Sequence, residues 1–206
     1  MARIILIFLL LCTFYGNSLA AVGCTLNDPD RDIKRMFPES TGYRTDFITL
    51  KERGGETLQK EVEEKLGSKL DPIYESLDVA YAYYTVLKDS KVIGYVHGVN
   101  QKGKYGGLQV ILATDPGGKI IGFYYQRISS PEAQKFKQKA FADKFIGLSL
   151  SDFYARDGRA SKIADPSKNS PEDFRATLRG IKKNLILLDE FLLAGKHDKY
   201  YQTGGK

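Results

Sequence analysis

Two short polar runs hold most of the side chains whose types and spacing could do chemistry. Asp165-Pro166-Ser167-Lys168-Asn169-Ser170-Pro171-Glu172-Asp173 places hydroxyl, amide and ammonium groups just ahead of a periodic apolar stretch. A helix starting there would offer unpaired N–H groups and a positive dipole end to an anion. Arg127-Ile128-Ser129-Ser130-Pro131-Glu132-Ala133 is a second polar run, with Ser129, Ser130 and Glu132 as candidate polar contacts to a pocket. Both runs also read as plain helix starts: Ser170 and Ser130 are favoured N-caps, Pro171 is favoured at the first helical position, and Glu172 and Asp173 complement the dipole.

Other reactive residues are sparse. The chain has two cysteines and two histidines. With Cys12 inside an apolar leader, the set left is Cys24, His97 and His197, which cannot build a C-x-x-C-H haem attachment, a cysteine-rich zinc or iron-sulfur site, or a three-histidine metal centre. His97 lies in an alternating strand and is expected on a sheet face, and His197 lies in a tail. No nucleophile, base and orienting group can be assembled from them.

Residues 1–23 are a different material from the rest. Arg3 is the single charge before an apolar run from Ile4 to Phe14, followed by Ser18-Leu19-Ala20-Ala21-Val22-Gly23-Cys24. This order is that of a secretory signal peptide, and the apolar run is short for a bilayer span. Two processing routes stay open. One is an ordinary cut after Ala20 or Gly23. The other is a lipoprotein cut at Ala21-Val22-Gly23-Cys24, which carries Ala where Leu is usual and would make Cys24 the acylated first residue. A lone thiol exported to an oxidising space is a liability unless modified, which makes Cys24 the expected lipidation site.

The elements that must position these groups follow from pattern. In 206 residues with 42% hydrophobic and 27% charged content, one principal domain is expected. The formal charge of +6 is spread among acids, as in Lys60-Glu61-Val62-Glu63-Glu64-Lys65, so nucleic acid is not an expected partner. Asp28-Pro29-Asp30 opens a short helix closed by Pro38, a strand runs from Tyr43 to Leu50, and Glu56 to Leu66 is an amphipathic helix stopped by Gly67. Strands follow from Val79 to Leu87, from Val92, from Leu108 to Ala113 and from Ile120 to Tyr125, with a tight reversal at Asp115-Pro116-Gly117-Gly118. Pro131 to Phe145 is expected as a helix with Phe136, Ala140, Phe141 and Phe145 on one face. Phe174, Leu178, Ile181, Leu185, Leu188 and Leu192 mark a long C-terminal amphipathic helix by their 4, 3, 4, 3, 4 spacing. The sum is an α+β fold, an antiparallel sheet packed by helices. Its expected divisions are an N-terminal helix-strand-helix segment (24–78), a main domain (79–193) and a flexible tail (194–206).

Four motifs in this order carry a resemblance: Ile93-Gly94-Tyr95-Val96; Gly106-Gly107-Leu108-Gln109-Val110-Ile111; Asp115 with Gly117-Gly118-Lys119-Ile120; and Phe141 through Phe145 with Gly147 and Ser149-Leu150. Over about Val79 to Leu193 the chain resembles the flavin mononucleotide (FMN)-binding domain found in the C subunit of the sodium-pumping quinone reductase and the G subunit of the Rnf complex. The Asp30-to-Pro38 helix resembles the leader of exported single-domain members. The resemblance implies FMN as cofactor, an electron-transfer role beside a membrane redox complex or electron-transfer protein, and a location in the periplasm or envelope.

Members of that family hold FMN through a phosphoester to the Thr of Asp-x-x-Ser-Gly-Ala-Thr where the last helix begins. Aligning Asp165 with the family Asp puts Lys168, Asn169, Ser170 and Pro171 at the Ser, Gly, Ala and Thr positions, and proline cannot carry a phosphoester. A shift of one residue would bring the Ser170 hydroxyl to the attachment position. Where many members have Glu-Thr-Pro-Gly-Leu-Gly after a strand, this chain has the run containing Ser129, Ser130 and Glu132. The cofactor-binding residues implied are therefore Ser129, Ser130, Glu132, Lys168, Asn169 and Ser170. Two alternatives stay open: a flavin-less binding or scaffold lipoprotein that keeps the fold, and a small-molecule carrier of cystatin-like or nuclear-transport-factor-like shape with apolar residues lining a concave sheet.

Overall fold

Turn chemistry organises the sheet. Asp115 Oδ1 accepts from Gly117 N (2.8 Å) and Lys119 N (2.9 Å), and Gly118 takes the positive φ of 84° that closes the reversal. The computed structural model, which describes residues 24–204, shows five strands in sequential antiparallel order: β1 (Gly42–Ile48), β2 (Tyr81–Lys88), β3 (Lys91–Lys102), β4 (Gly107–Thr114) and β5 (Ile120–Ile128). Helices α1 (Pro29–Met36), α2 (Leu50–Arg53), α3 (Gly55–Leu66), α4 (Ala133–Phe136), α5 (Lys139–Ala142), α6 (Leu150–Tyr154), α7 (Pro171–Leu192) and α8 (Asp198–Gly204) complete a mixed α+β fold. The expected signal peptide, 1–23, lies outside the described residues. β1 pairs with β2 from Gly42 opposite Leu87 to Ile48 opposite Tyr81, so the strand upstream of residue 79 belongs to the same sheet as the rest.

Both faces of the sheet are covered. The long helix α7 lies on one, where Ile181, Leu185, Leu188 and Phe191 join Tyr81, Tyr83, Val99 and Val110 in the larger core. Most of its residues from Gly180 to Phe191 are buried, because α3 packs on the same helix from the far side. Residues 24–37 cover the other face, with Cys24, Leu26, Ile33 and Phe37 against Tyr84, Val96, Ile111 and Ala113. Here the sheet must be smooth: a Cβ on Gly94 would lie 2.5 Å from the Phe37 ring, and one on Gly98 would lie 2.9 Å from Cys24 Sγ.

Two expectations are corrected. Pro131 to Phe145 is not one helix: α4 ends, Gln138 turns extended (φ −62°, ψ 135°), and α5 passes into a 3₁₀ turn, Asp143–Phe145. On a straight helix Phe136 and Phe141 would point roughly 140° apart. The break lets both join Phe145 in the core, with ring centroids 5.8 and 5.2 Å apart, and leaves Ala140 exposed. The tail 194–206 is not frayed over its described part, where α8 forms. His197 is buried, its backbone N–H bonds Asp189 Oδ2 (3.0 Å), its Nδ1 lies 2.7 Å from Asp189 Oδ1, and Lys65 Nζ reaches Asp198 Oδ1 at 2.5 Å.

Candidate functional site

The chain leaves β5 at Ile128 and immediately folds back. Ser129 N donates to Gly107 O (3.2 Å), and Ser130 Oγ accepts from Glu132 N (3.3 Å). The Glu132 carboxylate then crosses to the loop ahead of α7. It accepts from Lys168 N (3.0 Å) and Asn169 N (2.6 Å) and pairs with Lys135 Nζ. The two polar runs singled out in the sequence, 36 positions apart at Glu132 and Lys168, therefore meet. Lys135 first, then the Asn169 and Lys168 amides, hold the Glu132 carboxyl at about 2, well below the usual range. Lys168 and Asn169 act here through main-chain N–H groups.

Upstream, Asp165 Oδ1 accepts from both the N–H and the hydroxyl of Ser167 (2.7 Å each), which shapes the approach to Lys168. Ser170 departs from the capping role its position suggests. It occupies the N-cap position, yet its hydroxyl makes no capping bond, and the side chain is buried at 1% exposure with Oγ lacking a partner among the described residues. The neighbouring Asp173 is also buried. Its Oδ1 accepts from Lys104 N (2.8 Å), which ties the β3–β4 turn to the first turn of α7.

That turn walls an open cleft of about 470 Å³ beside Ser129. Asn100, Gln101 and Lys102 come from the end of β3, Gln109 from β4 and Arg127 from β5. The turn contributes Gly103, Lys104 and Gly106, and Tyr74 leans in from the loop after α3. The register Asn100–Gln109–Arg127 across three strands puts these side chains on one line. Lys102, Lys104 and Arg127 line the cleft and no carboxylate does. Beneath it, Glu75 accepts from Arg179 Nη1 (3.0 Å) and from the Lys183 ammonium, Arg179 also reaches Gln101 Oε1 (2.6 Å), and Lys183 donates to Asn100 O (2.6 Å). Lys183 is fully buried. Burial pulls its pKa down to about 8, with Glu75 opposing, so the ammonium persists at neutral pH.

The remaining reactive groups are shut in. His97 stacks on Tyr83 (centroids 3.8 Å apart) on the α7 side of the sheet, its Nδ1 3.0 Å from Ala82 O. Burial pushes it down to about 3, so it is neutral at physiological pH. Cys24 Sγ sits at 2% exposure against Gly98, and burial raises its pKa to about 12. A thioether-linked lipid there requires residues 24–26 to lift off the sheet, breaking the bonds from Gln126 Nε2 to Thr25 O (2.7 Å) and from Leu26 N to Tyr84 Oη (3.2 Å). Among the described residues no group of three His, Cys, Asp or Glu could hold a metal, and no helix is long and apolar enough to cross a membrane.

Sequence reasoning thus found both ends of the Glu132 contact and missed the cleft. Its one local signal was Lys102-Gly103-Lys104, cations flanking a glycine at a strand end; Tyr74 and Arg127 join them only through the fold. No protein-family model matches the chain, and no curated protein matches it.

Proposed function

We propose that this chain is an exported binding protein of the FMN-binding fold, serving electron transfer beside a membrane redox complex and holding its flavin without a covalent bond. The observation that carries this reading is the convergence of Ser129–Glu132 with Lys168–Ser170 at the start of the last helix, next to a cleft of about 470 Å³. That volume is within the usual range of small-molecule sites, about 300–1,000 Å³. Bound FMN would supply one- and two-electron transfer, with the protein contributing position and shielding.

Covalent attachment does not fit the residues present. Ser170 Oγ is buried, Pro171 has no hydroxyl, and the Lys168 and Asn169 amides that could face a phosphate are engaged by Glu132. The same contact favours a second reading, a flavin-less binding or scaffold protein that keeps the fold. Export to the periplasm or envelope rests on the leader. A lipid anchor at Cys24 adds the requirement that the N-terminal residues leave the sheet.

Purified protein titrated with FMN decides between the readings. Saturable 1:1 quenching of flavin fluorescence, with all flavin released on denaturation, is the expected result. No binding up to millimolar FMN leaves the flavin-less reading, and flavin that stays with the denatured chain overturns the non-covalent one.

A further inference from the structure

We propose that the cleft between the β3–β4 turn and Arg127 is a binding site for a phosphomonoester, with Lys102 and Arg127 as its counter-ions. This deepens the reading above and rests on it only for the choice of FMN as one probe. Three cations line the cleft and no carboxylate does. Of the acids around it, Glu75 is held by Lys183 and Arg179 and Glu172 by Lys104 Nζ at 3.4 Å, while buried Asp173 takes the Lys104 N–H on Oδ1 and has no partner for Oδ2 among the described residues. Lys102 and Arg127 are in no ion pair among the described residues. Two unpaired cations facing one concavity match the two charges of a phosphomonoester, and an arginine fork suits its oxygens.

The walls are set before any ligand arrives. The turn is fastened by Lys104 N to Asp173 and by Gly103 N to Gly106 O (2.8 Å). A Cβ on Gly103 would lie 2.6 Å from Asp173 Oδ1, and one on Gly106, at φ 133°, would lie 2.9 Å from Ser129 Cβ. Bare main chain therefore forms that wall. The floor is fixed by Arg179 on Gln101 and Lys183 on Asn100 O. A site assembled in advance spends little free energy on ordering. Tyr74, 47% exposed at the rim and next to the anchored Glu75, offers an aromatic face to a ring carried by the phosphate.

The test titrates the purified protein with phenyl phosphate, FMN and riboflavin, following backbone amide NMR shifts in Asn100–Gly107. Phenyl phosphate and FMN are expected to move the Gly103, Gly106 and Gly107 signals, and riboflavin is expected to bind at least tenfold more weakly than FMN. Lys102→Ala and Arg127→Ala should each weaken phenyl phosphate about tenfold, with the melting temperature unchanged because both side chains are exposed. Binding of phenyl phosphate but not FMN supports the site and removes the flavin reading. FMN binding that moves other amides and ignores both substitutions overturns the site while leaving that reading intact. Absence of binding by both phosphates also overturns it.

Discussion

Glu75 and Glu132 perform the same task in different surroundings. Each is a carboxylate that accepts a backbone N–H, pairs with lysine, and fastens one segment beside the last helix. Glu75 lies at the bottom of the cleft, with Lys183 fully buried and Arg179 mostly so. For it, burial works to raise the carboxyl pKa, and the Lys183 and Arg179 charges outweigh burial and bring it below the ordinary value. Glu132 is closer to the surface, its side chain 12% exposed and its Lys135 partner 36%, and it owes its low pKa to Lys135 and two amides. The same bonds thus differ in what their loss costs: removing a buried partner strands a charge in low dielectric, whereas water replaces a surface partner.

The comparison breaks most readily at Glu75. Glu75→Ala leaves Lys183 without its counter-charge and is expected to destabilise the fold by about 3–5 kcal/mol in urea denaturation. Pairing it as Glu75→Leu with Lys183→Met should restore most of that loss, since an apolar pair of similar volume costs nothing to desolvate. A double variant no more stable than the single one would show that Lys183 is not the charge being compensated.

Asp189 tests an intermediate case. It is buried on α7, and its partner His197, buried but with 10% of its side chain exposed, holds α8 in place through two bonds. Asp189→Ala should cost about 1–3 kcal/mol, the usual penalty for leaving buried groups unpaired. It should also open Lys196 and Lys199 to trypsin under native conditions. Global destabilisation without local cleavage would mean that Asp189 supports the helix core rather than the tail.

These contacts also separate what the sequence makes legible from what it does not. The Asp115–Gly118 turn is written in four consecutive residues, and α7 in a repeat whose turns follow one another, so each is readable locally. Glu75 and Lys183 are 108 positions apart, and Lys65 and Asp198 are 133 apart. Nothing in either neighbourhood names the other. Lys183 looks like one more polar residue on an amphipathic helix until α3 and the sheet enclose it. The break at Gln138 was hidden for a related reason: four apolar residues at near-helical spacing fit a straight helix until Tyr125 takes Phe136 while Phe123 takes Phe141 and Phe145. For the candidate site, the residue types at Ser129–Glu132 and Lys168–Ser170 were legible, and their partner was not. The run ahead of the last helix suggested anion recognition, and the anion recognised is the chain's own Glu132.

The smallest effect belongs to Glu132 itself, and its pH dependence gives it a signature. A carboxylate whose folded pKa of about 2 lies below its ordinary value of 4.5 contributes stability that is fully present above 4.5. That contribution is lost as pH falls from there through about 2, below which the folded and unfolded forms are both protonated. Glu132→Gln removes the titrating group and keeps the shape. The wild type should therefore be slightly more stable than the variant from neutral pH down to about 5, and the gap should close progressively between 4.5 and 2. Measuring the two melting curves at matched pH cancels the titration of every other carboxylate. A gap of the same size at pH 7 and pH 2.5 would assign the effect to packing, and no gap at any pH would mean that a neutral amide oxygen serves the Lys168 and Asn169 N–H groups as well as the carboxylate does.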